Sequence, residues 1–181
     1  MKDHRPNPTS RRYRALAESF AQLLLAELGD QLTTIVLYGS VARGTARPDS
    51  DIDLFVIAGE SGEEKETVWD RIWDMEYEFW NSPETLALRE QGYRASMETF
   101  VLSRPQAERG TPLYLDMALE AVVLHDPEGF FARRIEQVKR RMAELGSYRE
   151  RMGRKIYVWT LKATTRPGEV FALPYIEEGA R

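Results

Sequence analysis

The chain has 181 residues, no cysteine and a net charge of −4, with 43% apolar and 30% charged residues. This composition is typical of a globular chain with a sizeable core, and it excludes disulfides and thiolate metal sites. No apolar run reaches the roughly 18–20 residues that span a bilayer, and the amino terminus lacks an apolar signal core, so we expect a cytoplasmic protein.

Apolar periodicity predicts a long first helix. Apolar residues recur at helical steps from Ser10 to Leu28, and Gly29 suits the position just after a helix end. Two apolar runs then predict buried strands, "LTTIVLY" at 32–38 and "DIDLFVI" at 51–57.

A capping-box pattern predicts the second helix. Ser61 with Glu64 three residues later is typical of a helix start, and Pro83 is expected to end or break the helix. An aromatic stripe then follows one helix face: Trp69, Trp73, Tyr77 and Trp80. We interpret this stripe as core-facing, with a base-stacking platform as the alternative.

Strands and helices continue to alternate in the rest of the chain. Further strands are predicted at 96–103, 119–125 and 155–161. Two helices lie between them, one capped by Thr111 before Pro112 and one capped by Asp126 before Pro127. This alternation predicts an α/β (α+β) fold, in which a mixed β-sheet is flanked by helices.

Positive charge is concentrated toward the carboxyl terminus. Residues 132–166 contain eleven Lys and Arg against three Glu, whereas the rest of the chain is acidic. The basic segment could face phosphates, an acidic partner, or the body of the protein itself. The acidic balance elsewhere argues against nucleic acid as the main partner, and nothing in the composition indicates a membrane partner.

The stretch "YGSVARGTARPDSDIDL", residues 38–54, carries the clearest chemical pattern. Side chains alternate along a strand, so Asp51 and Asp53 point to one face with their Cα atoms about 6.6 Å apart. Unpaired carboxylates at that distance repel each other. A hard cation such as Mg²⁺, which takes one or two carboxylates plus phosphate oxygens, would remove that cost.

The small residues before these acids suit phosphate binding. Gly39 lets the backbone approach a ligand closely, and Ser40 adds a hydroxyl and backbone N–H groups at a turn. Arg43 and Arg47 either add charge to the same phosphates or are solvated loop arginines. Phosphate donors beside metal-binding acids indicate phosphoryl-type transfer, where positioning and charge neutralisation dominate catalysis.

This stretch closely resembles the signature of the DNA polymerase β-like nucleotidyltransferase superfamily: Gly-Ser, a spacer, then Asp-x-Asp on a strand. Its "GSVARG" and "SDIDL" flanks resemble the minimal nucleotidyltransferase branch, which includes the antitoxins that AMPylate HEPN toxins and is similar to the aminoglycoside nucleotidyltransferases. The resemblance implies a nucleotidyltransferase fold, NTP and Mg²⁺. It implies that residues 1–126 form the nucleotidyltransferase domain, while 127–181 add a helix and strand extension packed on the same domain.

The resemblance also implies roles for individual residues. Gly39 and Ser40 would bind the triphosphate, with Arg43 and Ser50 as further nucleotide-binding candidates, and Asp51 and Asp53 would hold the metals and be catalytic.

Many family members add a third catalytic and metal-binding carboxylate on a later strand. Glu98 in "SMETFVLS" is our choice for it, with Asp116 as the runner-up.

Two functions follow from these features. The first is an enzyme that transfers NMP, with ATP as the expected donor, to a hydroxyl on a protein or small molecule. The second is an antitoxin-like protein. It would use this same nucleotidyltransferase fold to bind a HEPN-type partner, with or without catalysis. A polymerase or tRNA-tailing enzyme is disfavoured by the acidic balance and by the lack of a large nucleic-acid domain.

Overall fold

A computed structural model describes residues 5–59, 67–153 and 156–175. The chain forms fourteen helices and strands in these ranges, including one 3₁₀ turn at Gly29–Gln31. The helices are α1 Pro8–Leu28, α2 Gly39–Ala42, α3 Val68–Trp80, α4 Pro83–Glu90, α5 Arg104–Arg109, α6 Leu113–Glu120 and α7 Phe130–Leu145. The strands are β1 Leu32–Tyr38, β2 Ile52–Ala58, β3 Met97–Ser103, β4 Val122–His125, β5 Tyr148–Arg151 and β6 Tyr157–Thr160.

Four strands form one mixed sheet in the order β3-β2-β1-β4. Strand β1 is antiparallel to β2 and β4, whereas β3 runs parallel to β2. Strands β5 and β6 form a separate antiparallel hairpin. The predicted mixed sheet flanked by helices is therefore confirmed.

The two faces of the sheet bury separate apolar clusters. On one face, Leu54 and Val56 of β2 join a cluster with residues of α1 and α3. On the other face, Phe55 and Ile57 join a cluster with residues of α6 and α7. Side chains alternate along a strand, so Asp53 shares the second face with Phe55, at the end of the strand where the cluster stops.

Helix starts differ from the sequence prediction by a few residues. Helix α1 begins at Pro8, where the Asn7 side chain accepts a hydrogen bond from Ser10 N at 2.8 Å. Helix α7 begins at Phe130 and not at Pro127. Asp126 lies before α7 but still satisfies two backbone N–H groups of the first turn of that helix. Its carboxylate accepts hydrogen bonds from the N–H groups of Phe131 and Ala132 at 3.1 and 3.0 Å.

Helix α6 likewise begins at Leu113, with Pro112 and not Thr111 in the capping position. The short helices α4 and α5 and strand β5 were not predicted. Pro83 is the first residue of α4. Ser82 caps this helix, because its side chain accepts a hydrogen bond from Thr85 N.

The capping box predicted at residues 61 and 64 lies outside the described residues. The described start of α3 has its own capping box, in which Thr67 and Asp70 exchange hydrogen bonds. The core-facing interpretation of the aromatic stripe is wrong for the middle of the helix. Trp73 and Tyr77 are 53% and 71% exposed, while Ile72 of α3 is fully buried.

Part of the basic carboxyl-terminal segment turns toward the body of the protein. The buried guanidinium of Arg134 donates to the backbone oxygens of Glu108 and Tyr175, both at 3.0 Å. Arg149 on β5 pairs with Asp116 and Glu120 of α6. For Arg134 and Arg149, the positive charge therefore serves contacts within the chain.

In the described ranges, each helix is too short or too polar to cross a membrane.

Candidate active site

The register of three strands brings the predicted acids into one row. Tyr38 at the end of β1 pairs with Asp53 of β2, and Asp53 pairs with Glu98 of β3. Neighbouring strands lie about 4.8 Å apart, and paired residues in a sheet share a face, so the carboxylates of Asp53 and Glu98 are neighbours. Gly39 directly follows Tyr38 at this edge of the sheet.

Gly39 makes room for the Asp53 carboxylate. The φ of Gly39 is +71°, a left-handed conformation that side chains rarely adopt. A Cβ at this position would collide with Asp53 Oδ2. The glycine is therefore required twice, by its backbone conformation and by the carboxylate that lies against it.

Negative charge accumulates at Asp53. Burial, together with the nearby charges of Glu98 and Asp51, raises the pKa of Asp53 to about 6, while the positive charge of Arg43 opposes this shift. A carboxylate that is costly to ionise gains most from a bound cation.

Asp51 has an unsatisfied oxygen. Its Oδ1 is buried and accepts no hydrogen bond from the described residues. The Arg94 Nε lies 2.9 Å from this oxygen, but the two groups form a charge contact without hydrogen-bond geometry. The Asp51 oxygen therefore has a cationic neighbour but lacks a hydrogen-bond donor among the described residues.

The donor set fits a hard divalent cation. Asp51 offers a buried, unsatisfied oxygen and Asp53 a carboxylate with a raised pKa. Among residues 5–59, 67–153 and 156–175, no group of three or more His, Asp or Glu is arranged to hold a metal by itself. Mg²⁺ commonly completes such a shell with phosphate oxygens, so the fit requires a nucleotide, and Glu98 as a direct ligand stays a prediction.

The predicted phosphate-binding residues lie in and after α2. Ser40 is in the first turn of α2, and its backbone oxygen accepts from Thr45 N at 3.0 Å. Ser50 Oγ accepts from the backbone N–H of Arg47 at 3.0 Å and so closes the loop that leads to Asp51. The side chain of Arg47 is exposed and pairs with Asp49. Nucleotide contacts by Ser40 and Ser50 stay predictions.

Arg43 is held by an ion network that the sequence did not reveal. Its guanidinium pairs with Glu120, which also pairs with Arg149 at 3.0 Å. The Tyr157 ring lies 5.5 Å from the Arg43 guanidinium and 4.5 Å from that of Arg149. The largely buried carboxylate of Glu120 therefore fixes Arg43 near Asp53.

Asp116, the runner-up for the third acid, is already engaged. Its Oδ1 accepts from Arg149 Nη1 at 2.7 Å and from Trp159 Nε1 at 3.2 Å. Glu98 is instead in direct register with Asp53. The geometry supports Glu98 over Asp116, although neither role is tested by the fold.

Two residues at the site escaped sequence reasoning. Arg94 lies far from the motif in sequence, and no local signal connects it with Asp51. The sequence indicates only that Tyr38 ends a strand, yet burial and the charges of Asp53, Glu98 and Asp116 strongly raise the pKa of its hydroxyl. Its position directly before Gly39 is the signal that could have identified it.

Comparison with known proteins finds a family model that resembles the site-bearing segment. Residues 16–103 match the family model of the nucleotidyltransferase domain. The matched segment contains Gly39, Asp53 and Glu98 but not Asp116. A relative from Methanocaldococcus jannaschii with the provisional name protein adenylyltransferase is 49% identical over 43 residues, which cover 24% of this chain and 29% of that protein. The match therefore spans less than a third of the relative's length.

Two solved structures show more distant similarity. One is a toxin–antitoxin with AMP-PNP, with 20% identity, coverage of 71% of this chain and 92% of that one, and a TM-score of 0.43. The other is a tri-AMPylated Shewanella oneidensis HEPN toxin in complex with MNT antitoxin, with 18% identity, coverage of 74% and 92%, and a TM-score of 0.40. Scores this low do not bear on function.

The raised pKa of Asp53 predicts a pH-dependent cost in the metal-free protein. A carboxyl whose folded pKa is near 6 favours folding fully below about pH 4 and loses that contribution as pH rises through 6. Asp53→Asn should therefore raise the free energy of unfolding at pH 7.5 by roughly 2–3 kcal/mol, and change it little at pH 4. Urea denaturation in EDTA at both pH values measures this difference.

Asp49→Asn is the matched control, since Asp49 is an exposed acid of the same loop. It should leave stability unchanged at both pH values. Equal stabilities of wild type and Asp53→Asn at pH 7.5 would contradict the charge accumulation described above.

Proposed function

We propose that this protein, whose residues 16–103 match the nucleotidyltransferase domain, transfers NMP from an NTP to a hydroxyl group. ATP is the expected donor, Mg²⁺ the expected metal, and the acceptor is a protein or a small molecule. The observation that carries the proposal is the Asp53 carboxylate, which lies against Gly39 and in register with Glu98.

We assign phosphate binding to residues that follow β1 and metal binding to residues at the start of β2. Gly39 and Ser40, at the end of β1, would contact the triphosphate, and Arg43 would add positive charge near it. Asp51 and Asp53 would hold Mg²⁺, which when bound neutralises charge on the phosphates. The Glu120 carboxylate keeps Arg43 in place beside this site.

Glu98 would act on the acceptor. In the transfer, the acceptor hydroxyl oxygen bonds to the α-phosphorus, the bond from that phosphorus to the bridging oxygen breaks, and pyrophosphate leaves. Glu98 accepts the proton of the hydroxyl. Its position on the sheet-edge strand β3 supports this role, because an acceptor can approach the edge from outside.

An interaction role with a HEPN-type partner is the second candidate. The observation that favours a protein partner is the outer face of the β5–β6 hairpin, where four apolar side chains are exposed: Tyr148, Met152, Ile156 and Val158. This role needs no transfer reaction. Incubation with labelled NTPs, Mg²⁺ and cell lysate separates the two candidates, since absence of label in every fraction would exclude the enzyme.

The two carboxylates at the start of β2, Asp51 just before it and Asp53 within it, should be essential for transfer. Asp51→Asn and Asp53→Asn should each lower label transfer at least ~100-fold, because metal charge stabilisation is worth several kcal/mol at about 1.36 kcal/mol per decade. The matched control Asp49→Asn should keep activity. Normal turnover in either metal-site variant would refute the metal site.

The third acid should act on turnover and not on nucleotide affinity. Glu98→Gln should lower kcat far more than it changes the KM for NTP. Asp116→Asn should leave kcat nearly unchanged, since that carboxylate serves Arg149 and Trp159. A silent Glu98→Gln beside a damaging Asp116→Asn would reverse the assignment.

Two glycine variants separate backbone strain from the site itself. Gly39 and Gly92 both have positive φ, +71° and +86°, but a Cβ on Gly92 meets no atom within 4 Å. Alanine should strain either position by about 1–2 kcal/mol, whereas only Gly39→Ala should displace Asp53. Thermal melting with and without Mg²⁺ and ATP should show a rise of several degrees in wild type and Gly92→Ala.

In Gly39→Ala this nucleotide-dependent rise should be absent. An equal rise in both glycine variants would mean that the Gly39–Asp53 contact is not part of the nucleotide site.

A further inference from the structure

A surface cleft lies where α3 meets the start of β3. Its volume is about 520 Å³, and its lining residues are Trp73, Glu76, Tyr77, Trp80, Ser96 and Met97. The four lining residues from α3 are spaced i, i+3, i+4 and i+7, which places them on one helix face. Three of them belong to the aromatic stripe, so these aromatic side chains line a solvent-accessible cleft.

The carboxyl group of Glu76 is incompletely satisfied in this cleft. Its Oε2 is buried and accepts no hydrogen bond within the described part of the chain. Burial raises the pKa of Glu76 and the Glu98 charge adds to this, while the nearby Thr99 hydroxyl and backbone N–H lower it. The Thr99 Oγ1 is likewise buried without a hydrogen bond of standard geometry. A buried acceptor without a donor, such as Glu76 Oε2, costs free energy, and Glu76 lines the cleft.

The walls of the cleft suit a cation as well. Trp73 and Tyr77 are more than half exposed, so their ring faces are open to a ligand. Aromatic faces attract guanidinium and ammonium groups. Trp80 already shows this preference, since the Arg89 guanidinium lies 4.0 Å from its ring centroid, and Arg89 is not among the lining residues.

The cleft adjoins the candidate active site across one strand. Ser96 and Met97 directly precede Glu98, and successive side chains on a strand point to opposite faces. Met97 packs in the apolar cluster shared with α3, while Glu98 shares the face of Asp53. The cleft and the candidate base therefore flank the same end of β3, which is the outermost strand of the sheet.

We propose that this cleft binds a guanidinium or ammonium group. The N–H groups of such a cation would donate to the carboxylate of Glu76, which lines the cleft, and the aromatic rings of Trp73 and Tyr77 would cover its faces. The cleft would serve as the subsite for the cationic part of an acceptor whose hydroxyl reaches Glu98. This last step rests on the proposed function, whereas cation binding stands on the cleft alone.

Calorimetric titration with ethylguanidinium, in the absence of nucleotide and Mg²⁺, tests the binding. Wild type should bind saturably, and Glu76→Gln should weaken binding roughly tenfold, about 1.4 kcal/mol. Glu78→Gln is the matched control, because it changes the charge of the same helix equally but lines a different surface cleft. The affinity of Glu78→Gln for ethylguanidinium should stay within about twofold of that of wild type.

Two further titrations test the chemistry of recognition. Tyr77→Leu, at an exposed position that should not affect folding, should weaken binding several-fold. Tetramethylammonium, which has no N–H group, should bind more weakly than ethylguanidinium. Equal losses in Glu76→Gln and Glu78→Gln, or absence of binding in wild type, would overturn the proposal.

Competition experiments identify the source of the cation. Together with transfer assays, they also distinguish failure of this proposal from failure of the proposed function. Spermidine and an arginine-containing tetrapeptide should compete with ethylguanidinium, and the tighter competitor indicates whether the natural cation is a small molecule or a protein side chain. Failure of both competitors would overturn the acceptor role of the cleft. Ethylguanidinium binding without any NMP transfer would refute the enzyme and keep the cleft, whereas transfer without such binding would refute only the cleft.

Discussion

The rest of the site depends on one close approach, that of the Asp53 carboxylate to the backbone of Gly39. No side chain fits between them, so the end of β1 and the start of β2 must meet at a glycine. The antiparallel register of these strands fixes the contact, and the parallel register of β3 then adds Glu98 beside it. The fold thereby concentrates negative charge at a point where the apolar core ends.

The basic carboxyl-terminal segment packs beside this concentration of negative charge. Arg149 on the hairpin and Arg43, directly after α2, share Glu120, and both guanidinium groups lie near the Tyr157 ring. A carboxylate with two cationic partners is well compensated even when largely buried. The positive charge that the composition places at this end of the chain therefore serves in part to orient an arginine of the motif.

Sequence reasoning recovered the elements whose pattern has one interpretation. Strands β1 and β2 are largely apolar runs, and alternation predicts that Asp51 and Asp53 point to one face. Helix α3 was harder because it carries two apolar stripes, and only the sheet shows that the one with Ile72 faces the core. Strand β5, "YRER", has no apolar alternation and is defined only by its pairing with β6. Pro83 is compatible with the end of one helix or the start of the next.

The mixed sheet also orders the assembly of the site during folding. Strands β1 and β2 are joined by residues 39–51, whereas β2 and β3 are joined by the longer segment 59–96. Loop-closure entropy grows with the length of the closed segment, and distant pairings slow folding. The glycine and Asp53 can therefore meet early through a short connection, while Glu98 arrives only when the long crossover closes. A chain paused between these events, as during synthesis on the ribosome, would hold half of the site and lack the acid that we assign to the acceptor.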